Sequence, residues 1–336
     1  MKRIAILLCL LAVVISPSQM VLAQNYAPHS SGAQPTKEHS PYSTDKKMPS
    51  FFHRPAKKTP AEQLAYAKKL EKKDKLRSAI GAYNDLVHRW HNSSEAIMAQ
   101  HQIAILYMKR EKYTKAFKAF QYMIDHYAGN FDYDAALNYQ TKIARTVLRD
   151  RWGDILFLPG LEAPERALPL FEKIIENAPN WGKTPEVRLK LGLTYESVKQ
   201  YEEAIAAYDE VQQFHPFSKE AETALFRKAF CLYTLSKKAP RDEKLCRKAL
   251  SALASFVARY KMSPYKDDAQ KYLTELNLHL SEMYYARAEF YDKKNRNKSA
   301  LIAYKDFLKK FPSSNRSKLV YQRVKVLEKE LEQKKE

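Results

Sequence analysis

The chain has 336 residues, a formal charge of +20, 29% charged residues and only 7 glycines. Those glycines stand too far apart for a phosphate-cradling loop or a dinucleotide fingerprint. The absence of a Cys-x-x-Cys pair, a His-Glu-x-x-His run or a Gly-x-Ser-x-Gly elbow removes the usual redox, zinc-protease and hydrolase spacings, so no catalytic residue, metal site or cofactor is expected. With 22 tyrosines, scarce strand signals and polar outer faces, the composition points to an all-helical protein.

Lys2 and Arg3 precede an apolar run from Ile4 to Ile15, and small residues end at Ala23, which together make an export signal, residues 1–23, with the mature chain beginning at Gln24. The run is shorter than the roughly twenty residues a spanning helix needs. Cys9 follows Leu8, where acylated cysteines follow glycine or alanine, so it reads as a passive residue of the signal. An exported protein rarely meets nucleic acid; the anionic partners its charge suits are lipid headgroups, lipopolysaccharide phosphates or acidic proteins. Residues 24–60 are rich in Ser, Pro, His and Lys without an apolar period and read as a disordered basic tether.

From Ala61 onward a pattern recurs. Ala67 and Ala79, Ala104 and Ala116, Gly192 and Ala204, and Ala288 and Ala300 are each twelve residues apart, and Tyr83, Phe120, Tyr208 and Tyr304 follow four residues after the second member. Two stretched copies run from Ala144 to Ala167 and from Ala229 to Ala249. Small residues let two antiparallel helices approach, and the aromatic fills the space beside them, which is the arrangement of the tetratricopeptide repeat. The expectation is an all-α solenoid over residues 61–336, of about six helical hairpins with a C-terminal capping helix.

In such an array the first helix of each hairpin lines the concave face. That assigns Leu64 and Lys68, then Met98, His101, Ile105 and Met108, then Leu189 and Leu193, to an apolar peptide-binding groove; the competing reading is that neighbouring repeats or the tether cover them. His88 and His91 share a helix face and reach toward His126, but no carboxylate accompanies them, so no metal site is assigned. In the third copy the turn from Asp150 to Pro164 carries Trp152, Ile155, Leu156, Phe157, Leu158 and Leu161, an apolar loop that packs on the array or contacts a partner. Cys231 and Cys246 fall on the two antiparallel helices of the fifth repeat and are either a disulfide or two buried thiols. A long helix from about Pro264 to Lys294 follows, and Val320, Val324, Leu327 and Leu331 form one stripe of the capping helix.

Beyond about Ala221 the pattern is more particular. Ala224-Leu225-Phe226 through Cys231-Leu232-Tyr233, Pro240-Arg241-Asp242 in a lengthened turn, Lys248-Ala249-Leu250, Tyr265 with Asp268-Ala269, Leu280-Ser281-Glu282 with Tyr284-Tyr285-Ala286, Phe290-Tyr291, and Ala300 to Pro312 resemble the BamD-type outer-membrane assembly factors, with a close match over about residues 165–312. The resemblance implies a non-enzymatic periplasmic scaffold associated with the outer membrane, working with a BamA-type barrel protein and other assembly components on unfolded outer-membrane protein clients. A Tol–Pal or peptidoglycan-associated repeat protein, or an unrecognised envelope chaperone, is the alternative. Two departures stand out: the acylation motif is missing, and extra repeats precede the matched region.

Overall fold

The computed structural model describes residues 53–149 and 163–333. The export signal, most of the basic stretch and the apolar loop of the third copy lie outside the described residues. Among them are thirteen α-helices and no strand: α1 (Pro60–Lys72), α2 (Leu76–Arg89), α3 (Ser94–Lys109), α4 (Tyr113–His126), α5 (Tyr133–Arg149), α6 (Ala163–Asn177), α7 (Thr184–Ser197), α8 (Tyr201–Phe214), α9 (Glu220–Lys238), α10 (Glu243–Arg259), α11 (Lys266–Lys293), α12 (Asn297–Lys310) and α13 (Ser317–Gln333). Consecutive helices pack antiparallel, giving six hairpins and a terminal α13 that buries Val320, Val324 and Leu327 against the sixth. No described helix is long and apolar enough to cross a membrane.

Helix starts are fixed locally. The side chains of Thr59, Ser93 and Asp242 accept the backbone N–H three residues on, as N-caps do. The chain is already held before α1: His53 stacks on His88 at 3.9 Å and its Nδ1 lies 3.1 Å from Asp85 Oδ1, and Lys57 N donates to Gln63 Oε1. The end of the stretch read as a tether is therefore docked on α1 and α2.

The small-residue pairs seat each hairpin. Ala67, Ala79, Ala104, Ala116, Ala144, Ala167, Ala204, Ala229, Ala249, Ala288 and Ala300 are fully buried, and Tyr83, Phe120, Phe171, Tyr208, Leu253 and Tyr304 fill the space beside them. Buried Gln63 and Gln100 add a lock within the first two hairpins, each donating its amide to a carbonyl nineteen residues on, Ala82 O and Ala119 O, at 2.9 Å.

Four hairpin turns close identically without glycine. Asp74, Glu111, Lys199 and Asn295 adopt positive φ, 54° to 64°, directly after the first helix. Each donates its N–H to the carbonyl three back, and the next residue donates to the carbonyl five back, the bonding of a Schellman closure. A side chain in that left-handed region is strained where glycine is free. Glu111→Gly should therefore raise the unfolding free energy by about 0.5–1 kcal/mol, read as a higher urea midpoint at unchanged m-value.

A recurrent inter-repeat contact was not visible as a motif. Tyr83 donates its hydroxyl to Glu71 Oε2 at 2.8 Å, and Gln102 of the next hairpin donates to the same carboxylate at 3.2 and 3.3 Å. Tyr208 donates to Glu196 Oε2 at 2.9 Å, and Arg227 grips both oxygens of Glu196. Tyr304 donates to Asp292 Oδ2 at 3.2 Å, and Arg323 donates to both its oxygens at 2.7 and 2.8 Å. In each, acid, tyrosine and next-repeat donor are spaced by twelve and then nineteen residues. Burial and the adjacent carboxylate push the Tyr83, Tyr208 and Tyr304 hydroxyls well above the ordinary tyrosine range, so they remain donors. Where the aromatic is Phe120 or Phe171, the acid's position holds Met108 or Leu148, both packed on the core. Phe120 instead stacks on Tyr139 of the next hairpin at 4.9 Å.

Candidate peptide-binding groove

Among the described residues, a cavity lies where the first helices of the first three hairpins converge. It has a volume of about 460 Å³ and is lined by Lys68 from α1, Ile97, Met98, His101 and Gln102 from α3, Met123 from α4, Asn130, Phe131 and Asp132 from the α4–α5 loop, and Ala135 and Ala136 from α5. The loop is shaped by Gly129 at φ 82° and by Asp132, whose carboxylate accepts the N–H of Ala135 at 2.8 Å and starts α5. Two alanines at the start of α5 keep that wall low, so the space stays open.

Within it, Met98 is 47% exposed, a flexible thioether on an open wall. His101 lies edge-on to Phe120 and Tyr139, each at 6.0 Å. Burial lowers its pKa, partly offset by a hydrogen bond with Gln102. The imidazole is thus neutral at neutral pH, and the cavity floor carries no charge. Charge sits at the rim, with Lys68 and Asp132 both exposed. An apolar recess with a neutral imidazole and a charged rim suits one apolar side chain of a peptide whose backbone stays wet.

Of the residues assigned from sequence, the structure brings Lys68, Met98 and His101 into this cavity. Ile105 and Met108 continue the same face of α3, half-buried against the core. Leu64 is buried in the core cluster, and Leu189 and Leu193 pack with Tyr195, Tyr201 and Ile205 in a separate cluster around α7 and α8. The recess is therefore confined to the first three hairpins. Phe131 and the α4–α5 loop were missed because the groove positions describe only helices. Asn130 and Asp132 flanking Phe131 were the available signal of a folded turn.

The other candidates resolve differently. His91 lies 3.1 Å from Tyr122 Oη and 3.2 Å from Tyr127 Oη, and its ring centroid is 6.2 Å from that of His126, while His88 turns to His53. No group of three metal-binding side chains occurs among the described residues. Cys231 and Cys246 are free and buried. Cys231 packs back toward Tyr208, with its thiol pushed up to about 12 chiefly by burial, and Cys246 faces forward to Leu276 O at 3.8 Å. The two thiols point to opposite sides of their hairpin, so the facing helices do not form the bridge their spacing allowed.

A stack of helical hairpins sharing one continuous set of small-residue seats, with an apolar recess on the first-helix face, defines a tetratricopeptide-repeat protein, a protein-binding scaffold. Residues 163–336 match the family described as YfiO, outer membrane lipoprotein, and the chain belongs to that family. The match reaches past Pro312 to the end of the chain and so includes α13. No curated protein matches the chain. Similar solved structures include a tetratricopeptide-repeat protein of Bacteroides fragilis (12% identity, 81% of this chain and 100% of that one, TM-score 0.37), one of Parabacteroides merdae (13%, 80% and 98%, 0.29), and YrrB, described as having an unusual peptide-binding site (18%, 63% and 92%, 0.32).

Proposed function

We propose that the protein is a non-enzymatic periplasmic scaffold of outer-membrane β-barrel assembly. Its C-terminal repeats, Pro240 to Pro312, dock a BamA-type barrel protein, and the recess around Met98 and His101 takes a side chain of an unfolded client. The observation that carries this reading is the division of the chain: the family match begins at residue 163, whereas the recess lies wholly in the hairpins before it. Docking and client capture then belong to different parts of one helical array, as suits a scaffold.

The two surfaces should separate by mutation. Met98→Glu places a carboxylate in an apolar recess and should weaken photocrosslinking to client peptides about tenfold, while co-purification with the barrel partner from solubilised envelopes is unchanged. Asp268→Lys with Lys271→Glu, both exposed on α11, should do the reverse. Circular dichroism checks that each variant is folded. If the folded wild-type chain does not associate with a BamA-type partner, the assembly reading is wrong.

A further inference from the structure

The hairpin turns and the inter-hairpin turns emerge at opposite edges of the array, because consecutive helices run antiparallel. The two edges differ in the residues that their turns project. At the inter-hairpin edge all six turns close by an N–H to carbonyl bond three residues back, and the residue that projects two positions beyond the helix cap is Asn92, Gly129, Asn180, Phe217, Met262 or Ser313. None is charged, and Phe217 and Met262 are 97% and 95% exposed.

At the hairpin edge the left-handed residue is flanked on both sides by cations in three of four turns: Lys73 and Lys75, Arg110 and Lys112, and Lys294 and Arg296. All but the half-exposed Arg110 are exposed. The longer fifth turn adds exposed Lys238 and Arg241; the fourth, with Glu202 and Glu203 following Lys199, is the exception. The turns adjoin: Lys109 Nζ reaches Asp74 Oδ1 of the first turn at 3.0 Å, and Lys238 lies over the Tyr201 ring of the fourth at 4.4 Å.

Three of the carboxylates near these cations are directed inward, while Asp74, Glu111 and Asp242 stay exposed in the turns themselves. Glu71 and Asp292 are held by the inter-repeat contacts described above, and Glu243 is held by Tyr284, Arg247 and Arg287. The same contacts that join the repeats therefore leave the lysines and arginines of the edge facing solvent.

We propose that this hairpin edge is the face the protein lays against an anionic phospholipid surface. Among the described residues, none of the strongly exposed apolar side chains lies in these turns, so the described turns lack the apolar centre of a protein interface. Cations carried by the first, second, fifth and sixth hairpin turns match a laterally mobile sheet of phosphates, which adjusts to them, better than a rigid partner. The inference goes beyond the assembly role and holds whichever clients the recess accepts.

The test is co-sedimentation of the full chain with phosphatidylcholine vesicles with and without phosphatidylglycerol. Lys73→Gln, Lys75→Gln, Lys294→Gln and Arg296→Gln combined should lower binding to the anionic vesicles by about tenfold or more. Lys183→Gln, Lys219→Gln, Lys261→Gln and Lys266→Gln combined, an equal charge change on the opposite edge, should lower it by about twofold or less. Wild-type binding should fall as salt shortens the screening length. Equal losses in both variants would show net charge alone acting and overturn the proposal. So would a folded wild type that stays in solution with anionic vesicles, above all if the hairpin-edge variant then loses a co-purifying acidic protein, which would assign the edge to that partner.

Discussion

Arg227→Ala is expected to lower the unfolding free energy by about 3 kcal/mol, the lower end of the range for breaking a buried ion pair. Glu196 is only 9% exposed and accepts from Arg227 through both oxygens and from Tyr208. Removing the guanidinium leaves a desolvated carboxylate with one neutral donor. The lower end applies because the Arg227 side chain is 31% exposed and water enters beside it. The contact joins the fourth hairpin to the fifth, so its loss should uncouple the two halves of the array: urea unfolding should broaden or split, as expected when nearest-neighbour terms weaken in a repeat protein. Glu196→Gln in the Arg227→Ala background should recover most of the loss, because the uncompensated charge is then absent. A sharp, unshifted transition for Arg227→Ala would show that the contact contributes little.

Gly192→Ala should destabilise by about 1–3 kcal/mol, although alanine is the better helix former by roughly 1 kcal/mol. A Cβ on Gly192 would lie 2.7 Å from Tyr208 Cδ1 and 2.9 Å from Cζ. The ring cannot retreat: Tyr208 is fully buried, and its hydroxyl is tied to the same Glu196. The equivalent seats hold Ala67 beside Tyr83 and Ala104 beside Phe120, so the fourth hairpin is packed more closely than its sisters. Thermal melts of the single variant and of Gly192→Ala with Tyr208→Leu separate the effects; relief of the clash by the smaller side chain should make the pair less destabilised than the sum of the two.

Most of the architecture was legible in the chain. The twelve-residue step from Ala67 to Ala79, repeated at Ala104, Gly192 and Ala288, is a local requirement: two neighbouring antiparallel helices meet at those residues whatever the rest of the chain does. The long α11 and the Val320, Val324 and Leu327 stripe of α13 were readable for the same reason, since helical periodicity is set within a few turns. Tertiary structure decided the rest. Glu196 and Arg227 are thirty-one residues apart, and nothing local says that one repeat's acid meets the next repeat's donor; that depends on how adjacent hairpins rotate against each other. A signal existed in hindsight, because an acid precedes each of Tyr83, Tyr208 and Tyr304 by twelve residues, whereas Met108 precedes Phe120. The turns at Asp74, Glu111, Lys199 and Asn295 were hidden because the left-handed residue is not glycine, and its strain is sustained by the packed helices on either side. The recess was half legible for a similar reason. Helical register placed Lys68, Met98 and His101 on one face, but only the folded array could show that Leu64 is enclosed, that Leu189 and Leu193 lie elsewhere, and that the Phe131 loop closes the wall.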